Sequence, residues 1–405
     1  MAEKLTSILQ SNVIQDDNTK NKLLGAAFVV VNKDGPLASA SAGHTNLPVS
    51  TSPAFTPASL AWAASMTKLL ATISVLQLVE RKLLTLDEDV RPRVPELAKA
   101  QILRGFDESK SGAPILEPNT SPITIRQLLT HTSGFGYDFF EADLQRWAKF
   151  TGTPSEIIGA SKEGWNWPLV FAPGGEGRWA YGVGIDWAGV VLEHVTGQSL
   201  GQYMRENLFG PLGIKDTTFR SMPVSDDLEA RKVRLSFRNP EDGTLTVGEM
   251  PIRVDGFEHD SGGAGIWTTA EEYARVLVAV LNGGGGVLGR EMVDEMFQPQ
   301  LTEEQAVSFK KQAPPGPMMP DYVGVEDHEQ NFGLGGALNL KDLPGRRKAG
   351  SLMWSGICNA HWWVDRETGI AGVLIVAVLP FGDAVVNQMY RDLEAAAYEA
   401  FVTKP

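Results

Sequence analysis

A Ser-Met-Thr-Lys sequence, Ser65 to Lys68, stands at the start of a long apolar segment and places a nucleophile near a base. A spacing of three residues on a helix brings both side chains to one face, with Cβ atoms about 5–6 Å apart. A lysine amine there can accept the serine proton, provided that burial keeps part of it neutral. The alternative is a capping serine beside a solvated lysine. The neighbours Leu69, Leu70 and Ile73 argue against it, because an unpaired buried ammonium is unfavourable.

Two further segments carry groups that could complete such a site. Tyr181 lies in a glycine-rich loop before a helical pattern, where its phenol could relay a proton between Ser65 and Lys68. The alternative is an ordinary amphipathic packing tyrosine. In the strand-like run around Gly356, a glycine lets the backbone approach a ligand, and the N–H of Ile357 could point at an oxyanion. A glycine inside an ordinary strand is the alternative there.

The elements that must position these groups follow from the hydrophobic patterns. Alternating or continuous apolar runs at 25–42 and 331–379 predict strands, helical periods dominate between them, and a last helix closes the chain. This order predicts an α/β (α+β) fold with an antiparallel sheet built from both termini and flanked by helices. The sheet region would comprise 1–70 and 260–405, with a mainly helical insertion at 71–259 and the active site between them.

Composition excludes several classes of protein. The chain has 405 residues, with 36 basic and 49 acidic side chains and a net charge of −13, which argues against nucleic-acid or anionic-membrane partners. The longest apolar run, 370–381, is too short to span a bilayer. The N-terminal residues lack the pattern of a secretory signal, so a cytoplasmic protein is expected. A single cysteine and six histidines without metal-ligand spacing predict that neither a metal nor a cofactor is needed.

Taken in order, these segments resemble the serine β-lactamase and penicillin-binding-protein fold. More narrowly, they are similar to class C β-lactamase-related serine esterases (family VIII) and to fungal lovastatin-type acyltransferases and related polyketide ester hydrolases. The resemblance covers most of the chain and includes SMTKLLATISVLQLVERKLLTLDEDV, ITIRQLLTHTSGFGY, YGVGIDWAGVVLEHVTGQSLGQYM and FGLGGALNL. It implies that Ser65 is the acylated nucleophile, that Lys68 and Tyr181 transfer protons, and that the backbone N–H groups of Ser65 and Ile357 form the oxyanion hole.

Two departures from the β-lactamase pattern bear on the substrate. Val183 replaces the asparagine of Tyr-x-Asn, and Trp354-Ser355-Gly356 replaces the basic Lys-Thr-Gly triplet, whose lysine helps to hold the carboxylate of penicillins. The resemblance therefore implies an acyl-enzyme formed from an ester of a bulky, lipophilic, polyketide-like small molecule and then hydrolysed. One alternative is transfer of a short acyl group from an acyl-carrier or other thioester donor to an alcohol of a secondary metabolite. The second is a β-lactamase or D,D-peptidase.

Aromatic residues cluster near the motifs and could line an apolar pocket, although part of them must simply be core. His361 follows the proposed oxyanion strand and could face the pocket or pack. The expected substrate-binding residues are Tyr137, Phe139, Trp354, Ser355, Gly356, His361 and Trp362.

Three other features invite a functional interpretation. Gly197-Gln198-Ser199-Leu200-Gly201 matches a hydrolase nucleophile motif, but a helical pattern precedes it where a strand is required, which favours a helix cap at each end. Cys358 is expected to be a packing thiol. The basic run that begins at Arg346 could meet an anionic acceptor or an acyl-carrier partner, or be a solvated turn.

Overall fold

Both ends of the chain meet in one antiparallel sheet. The computed structural model describes residues 2–153, 163–219, 225–248, 259–314, 316, 319–325 and 328–402. Its strands are β1 Gly25–Asn32, β2 Gly35–Gly43, β3 Ala61–Trp62, β4 Gln101–Asp107, β5 Ala113–Pro118, β6 Thr218–Phe219, β7 Leu235–Arg238, β8 Leu245–Gly248, β9 Ile266–Thr268, β10 Gln330–Phe332, β11 Ala337–Asn339, β12 Leu352–Ser355, β13 His361–Asp365, β14 Ile370–Ile375 and β15 Val378–Leu379. Within the described ranges, the largest sheet has seven strands, in the order β10-β11-β12-β13-β14-β1-β2.

The N-terminal hairpin closes this sheet against the C-terminal strands. β1 pairs antiparallel with β14 on one side and with β2 on the other. Seven of its eight residues are buried, which explains its continuous apolar sequence, because a strand covered on both faces need not alternate. The predicted sheet built from both termini is confirmed.

The helices are α1 Ala2–Asn12, α2 Thr67–Glu80, α3 Pro95–Ala98, α4 Ile125–Leu129, α5 Ala142–Thr151, α6 Gly184–Thr196, α7 Leu200–Met204, α8 Asp226–Ala230, α9 Ala270–Leu281, α10 Arg290–Met296, α11 Glu303–Gln312 and α12 Ala384–Phe401. α1 packs on β2 and α12, and α9 packs on β1 and β14. Among the described helices, none combines the length and the hydropathy that a bilayer crossing needs.

α2 is the central helix, and it carries the Ser-x-x-Lys lysine in its first turn. Every residue from Thr67 to Leu78 is buried. An apolar sequence on all sides requires such a position, because no face of the helix suits solvent. α6 and α7 pack against α2.

Strands of the middle segment also join the terminal region. β7 pairs parallel with β15 and antiparallel with β8. β9 lies between β3 and β6 in a separate sheet. The division into 1–70 with 260–405 and 71–259 therefore stays a prediction, and the segment from β6 to β8 is tied to both regions.

The basic run Arg346-Arg347-Lys348 is only partly a solvated turn, because Lys348 is exposed while Arg347 is buried. Arg347 is fully buried, where it pairs with Glu394 at 2.8 Å and also contacts the carboxylate of Asp321. Two carboxylates offset the desolvation of the guanidinium, which would otherwise be unfavourable. Arg347 is thus part of the interior and is not placed to meet an anionic partner at a rim.

Candidate active site

Ser65 lies in a tight turn that leads into α2. The turn is a 3-10 segment, Ala64–Met66, and Ala64 has a φ of 46°, which is uncommon for a residue with a side chain. The Thr67 hydroxyl donates to the Ala64 carbonyl at 2.6 Å and accepts from the Ile266 N–H at 3.1 Å. These bonds hold the strained turn and connect it to β9. Strain of this kind persists only where the surroundings impose it, as they do here.

The structure brings the Lys68 ammonium to the Ser65 hydroxyl. Lys68 is 1% exposed, and its Nζ donates to Ser65 Oγ at 3.2 Å, to Tyr137 OH at 3.2 Å and to the Gly263 carbonyl at 2.8 Å. An ammonium has three donors, so each finds an acceptor. These three hydrogen bonds replace the hydration that Lys68 loses on burial, and they hold its nitrogen within proton-transfer reach of Ser65.

Two tyrosines flank the lysine in different ways. The ring of Tyr181 lies with its centroid 4.7 Å from Lys68 Nζ, and its hydroxyl accepts a hydrogen bond from Trp354 Nε1 at 3.0 Å. The hydroxyl bonded to Lys68 belongs to Tyr137, a residue expected only to bind substrate. Burial, with the nearby Asp186 and Tyr181, raises the pKa of Tyr137 well above its usual value. Tyr137 therefore stays a neutral phenol at working pH.

His131 supports the loop that carries Tyr181. The Gly182 N–H donates to His131 Nδ1 at 3.4 Å, and the imidazole meets the Tyr181 ring edge-on with centroids 4.7 Å apart. Burial and the charge of Lys68 lower the pKa of His131 well below its usual value, so the ring is neutral. A neutral imidazole can accept from a backbone N–H, which a charged one cannot.

The end of β12 lies directly against the nucleophile turn. A Cβ on Gly356 would stand 2.5 Å from the Ala63 carbonyl oxygen, so only glycine permits this approach. Ile357 and Ser65 line the same cavity. The neighbouring Cys358 is fully buried, and burial raises the pKa of its thiol, as suits a packing residue.

These groups surround one cavity with an empty volume of about 630 Å³, counted to its open mouth. It is lined by Ala64, Ser65, Tyr137, Phe139, Phe140, Tyr181, Ala264, Ala313, Trp354, Ser355, Gly356, Ile357 and Phe381. Among the described residues, no cluster of His, Cys, Asp and Glu is arranged to hold a metal ion.

The parts of a serine acyl-transfer site surround this one pocket: a Ser-x-x-Lys pair, a loop that carries a tyrosine, and the end of a strand. The sequence model of the β-lactamase family matches residues 11–397. The chain belongs to the β-lactamase family. The matched range includes Ser65, Lys68, Tyr181 and Gly356.

Several relatives of this β-lactamase-family protein are esterases or acyltransferases by name. The chain is 39% identical to lovastatin esterase of Penicillium rubens over 345 residues, which cover 82% of this chain and 83% of the relative. It is 36% identical to monacolin J acid methylbutanoyltransferase of Aspergillus terreus over 356 residues, 84% of this chain and 81% of the relative. Unliganded simvastatin synthase from Aspergillus terreus superposes with a TM-score of 0.85 at 30% identity, covering 99% and 98% of the two chains. The predicted fold class, and the prediction of a β-lactamase-related serine esterase or acyltransferase, are confirmed.

Asp186 is a member of the site that the sequence did not single out. It lies in the first turn of α6, fully enclosed, where it accepts from Ser261 Oγ at 2.5 Å and from the Gly263 N–H at 2.9 Å. Because the Gly263 carbonyl accepts from Lys68, this carboxylate holds, through the N–H of the same residue, the glycine that positions the lysine. Burial raises the pKa of Asp186, and the charge of Lys68 opposes that effect. Its signal in the sequence is only an acidic residue in an otherwise apolar helix.

Two of the expected substrate-binding residues lie outside the cavity. His361 stacks on Tyr390 of α12 with ring centroids 4.3 Å apart, and Trp362 is fully buried. Successive residues of a strand face opposite sides of the sheet, so His361 points to α12 while Trp362 shares the face of its partner Trp354. Trp362 is on the same face of the sheet as Trp354, but it is not among the residues that line the cavity. The structure thus places neither His361 nor Trp362 among the residues that line the cavity.

The second serine motif is a pair of helix caps. Gly197 ends α6 with a φ of 71°, and the Ser199 hydroxyl accepts from the Gln202 N–H at 3.2 Å at the start of α7. The Ser199 hydroxyl therefore stabilises the N-terminus of α7. The structure gives no reason to place a nucleophile there.

Proposed function

We propose that this protein is a serine hydrolase that forms an acyl-enzyme at Ser65 from an ester of a bulky, lipophilic, polyketide-like molecule. The observation that carries the proposal is the 3.2 Å approach of the buried Lys68 Nζ to Ser65 Oγ at the wall of an aromatic cavity. The names of the relatives, lovastatin esterase and monacolin J acid methylbutanoyltransferase, support an ester substrate of this class.

In the proposed reaction, Lys68 enters as the neutral amine, Ser65 Oγ attacks the ester carbonyl, and the Ser65 proton passes to the free lone pair of the Lys68–Tyr181 pair. The backbone N–H groups of Ser65 and Ile357 would stabilise the tetrahedral oxyanion, and loss of one such donor typically costs about 2.7–4 kcal/mol of transition-state stabilisation. Collapse breaks the carbonyl–alkoxy bond, and the Tyr181 hydroxyl returns the proton to the leaving alcohol. Water then attacks the acyl-enzyme and regenerates Ser65.

The lining of the cavity favours a substrate that is neutral near the scissile bond. None of the described residues that line it is a Lys or Arg. The resemblance to penicillin-recognising enzymes implies a basic triplet at the position of Trp354-Ser355-Gly356, and this chain has none there. A carboxylate brought into this pocket would lose hydration without gaining a charged partner. β-Lactam or D,D-peptide hydrolysis is therefore the weaker interpretation.

Acyl transfer is the second candidate. The methylbutanoyltransferase relative supports it, since the same acyl-enzyme yields an ester when an alcohol replaces water. The donor would then be an acyl thioester, carried by an acyl-carrier protein or by a small thiol. A cytoplasmic location is proposed with it, because the single cysteine, Cys358, is a free thiol and fits a reducing compartment.

Mass spectrometry of the intact protein and its products tests the proposal. Incubation with a lipophilic ester should add the mass of the acyl group to the peptide that contains Ser65, and Ser65→Ala should abolish both the adduct and turnover. Ser199→Ala, which removes the serine of the other motif, is the matched control and should retain both. Adding a competing alcohol distinguishes hydrolysis from transfer. A fully active Ser65→Ala enzyme, or an adduct on Ser199, would contradict the assignment.

A further inference from the structure

A second chamber adjoins the active-site cavity on the far side of the Tyr181–Trp354 pair. Its empty volume, counted to its mouth, is about 630 Å³. It shares Phe140, Tyr181, Ala313 and Trp354 with the first cavity, but neither Ser65 nor Ile357. Its complete lining is Phe140, Glu141, Trp179, Tyr181, Gln312, Ala313 and Trp354.

This chamber has a polar edge that the first cavity lacks. Gln312 Nε2 donates to Glu141 Oε1 at 3.4 Å, and Gln312 Oε1 accepts from the Tyr181 N–H at 3.4 Å. Both bonds are longer than the usual range of about 2.7–3.2 Å, so the Gln312 amide is bound only weakly to the Glu141 carboxyl and to the Tyr181 N–H. A ligand hydroxyl can therefore improve on the existing contacts.

The titratable side chain at this edge is the acidic Glu141. Glu141 is partly buried, and burial raises the pKa of its carboxyl while the charge of Arg178 opposes that effect. Arg178 is directed elsewhere, since its Nη1 donates to the Val170 carbonyl at 2.7 Å and its guanidinium lies over the Phe171 ring. Asp143 is the other charged group that acts on Glu141, and it adds to the negative charge.

We propose that the Glu141–Gln312 chamber binds the alcohol portion of the substrate, and that it selects neutral, hydroxyl-bearing alcohols over those that carry a carboxylate. The inference rests on the proposed function. The acyl carbonyl must lie at Ser65 and Ile357 in the first cavity, whereas the leaving oxygen must reach the Tyr181 hydroxyl. The alcohol then extends past Tyr181 into the second chamber. There the carboxylate of Glu141 accepts hydrogen bonds from hydroxyls and repels a second anion.

Three esters with the same acetyl group test this selection. Their alcohols are 1-decanol, 1,10-decanediol and 10-hydroxydecanoic acid, so the far end carries a methyl, a hydroxyl or a carboxylate. The measured quantity is the ratio of kcat/KM for the hydroxyl ester to that for the carboxylate ester. We expect this ratio to fall about tenfold in Glu141→Gln, since one charged acceptor is lost. Glu303→Gln, on the exposed start of α11, should keep the wild-type ratio.

A second variant keeps the test decisive if Glu141→Gln folds poorly. Gln312→Glu adds a carboxylate to the same edge and should raise the ratio above that of the wild type. An unchanged ratio in both variants, with Ser65-dependent hydrolysis of the decyl ester intact, would overturn the subsite and leave the proposed function standing. Absence of Ser65-dependent turnover of all three esters would instead overturn the proposed function and the subsite with it.

Discussion

The indole N–H of Trp354 donates a hydrogen bond to the phenol oxygen of Tyr181 at 3.0 Å. This bond joins the end of β12 to the loop before α6, two segments that are separated by 173 residues in the chain. The Tyr181 oxygen is the acceptor in this bond, so the Tyr181 hydroxyl proton remains free to be donated to another group. Trp354 thus orients the hydroxyl of the proposed proton donor.

Replacing Trp354 with phenylalanine should lower kcat by about fivefold to tenfold. The change retains an aromatic wall but removes the N–H donor, and a typical hydrogen bond contributes about 1 kcal/mol. Steady-state kinetics with a lipophilic ester measures the effect, with KM changing less than kcat. Trp362→Phe, on the same sheet face but outside the cavity, is the matched control and should keep kcat at temperatures where it is folded. Equal kcat values for Trp354→Phe and wild type would argue against an orienting bond.

The two tyrosines beside Lys68 should differ in their contribution to rate. Tyr181→Phe should lower kcat by about 10²–10⁴-fold, the range typical of a lost general acid or base. Tyr137→Phe should lower it by about tenfold, because Tyr137 stays neutral and supplies one hydrogen bond to Lys68. Single-turnover acylation measured by stopped flow separates the two. A larger loss for Tyr137→Phe would transfer the proton-transfer role to Tyr137.

Asp186→Asn should lower activity without lowering stability at neutral pH. Burial raises the pKa of Asp186 above 3.8, so folding favours its protonated form, and ionisation at higher pH opposes folding. Asparagine mimics the protonated acid, and its stability advantage over wild type should therefore grow as pH rises through the raised pKa and vanish below about 3.8. The lost carboxylate should also reduce kcat by about tenfold, because Gly263 no longer holds Lys68 as firmly.

Thermal unfolding across pH, combined with kinetics at pH 7, tests both parts of this prediction. Asp216→Asn, on the surface and paired with Arg231, is a suitable control for loss of a carboxylate. A variant that loses stability at pH 7 as well as activity would show that Asp186 is chiefly a structural partner of the lysine.

Acid should destabilise the protein partly through His361. Burial lowers the pKa of this imidazole to about 4, with Asp321 opposing the effect and Arg347 adding to it. The unfolded chain binds a proton below about 6.5, so stability from this group is present above that value and is lost as pH falls toward 4. The full effect is on the order of 3 kcal/mol. His361→Phe should flatten the urea-unfolding free energy between pH 4.5 and 7, and an unchanged slope would contradict the assignment.

The sequence alone determined the features that depend on a few neighbouring residues. The spacing of Ser65 and Lys68, the caps at Gly197 and Ser199, and the buried α2 all follow from local periodicity and hydrogen bonding. The ordered motifs also determined the family, and with it the sheet built from both termini.

Only the tertiary structure decided which distant groups meet. Lys68 bonds to Tyr137 and Gly263, which lie 69 and 195 residues away, and neither contact follows from any local pattern. The same is true of Asp186 beneath Gly263, and of the enclosed ion pairs of Arg347. His361 faces α12 because of the register in which β13 pairs with β12 and β14. A shift of that register by one residue would turn every side chain of β13 to the other face of the sheet, and the local sequence does not fix the register.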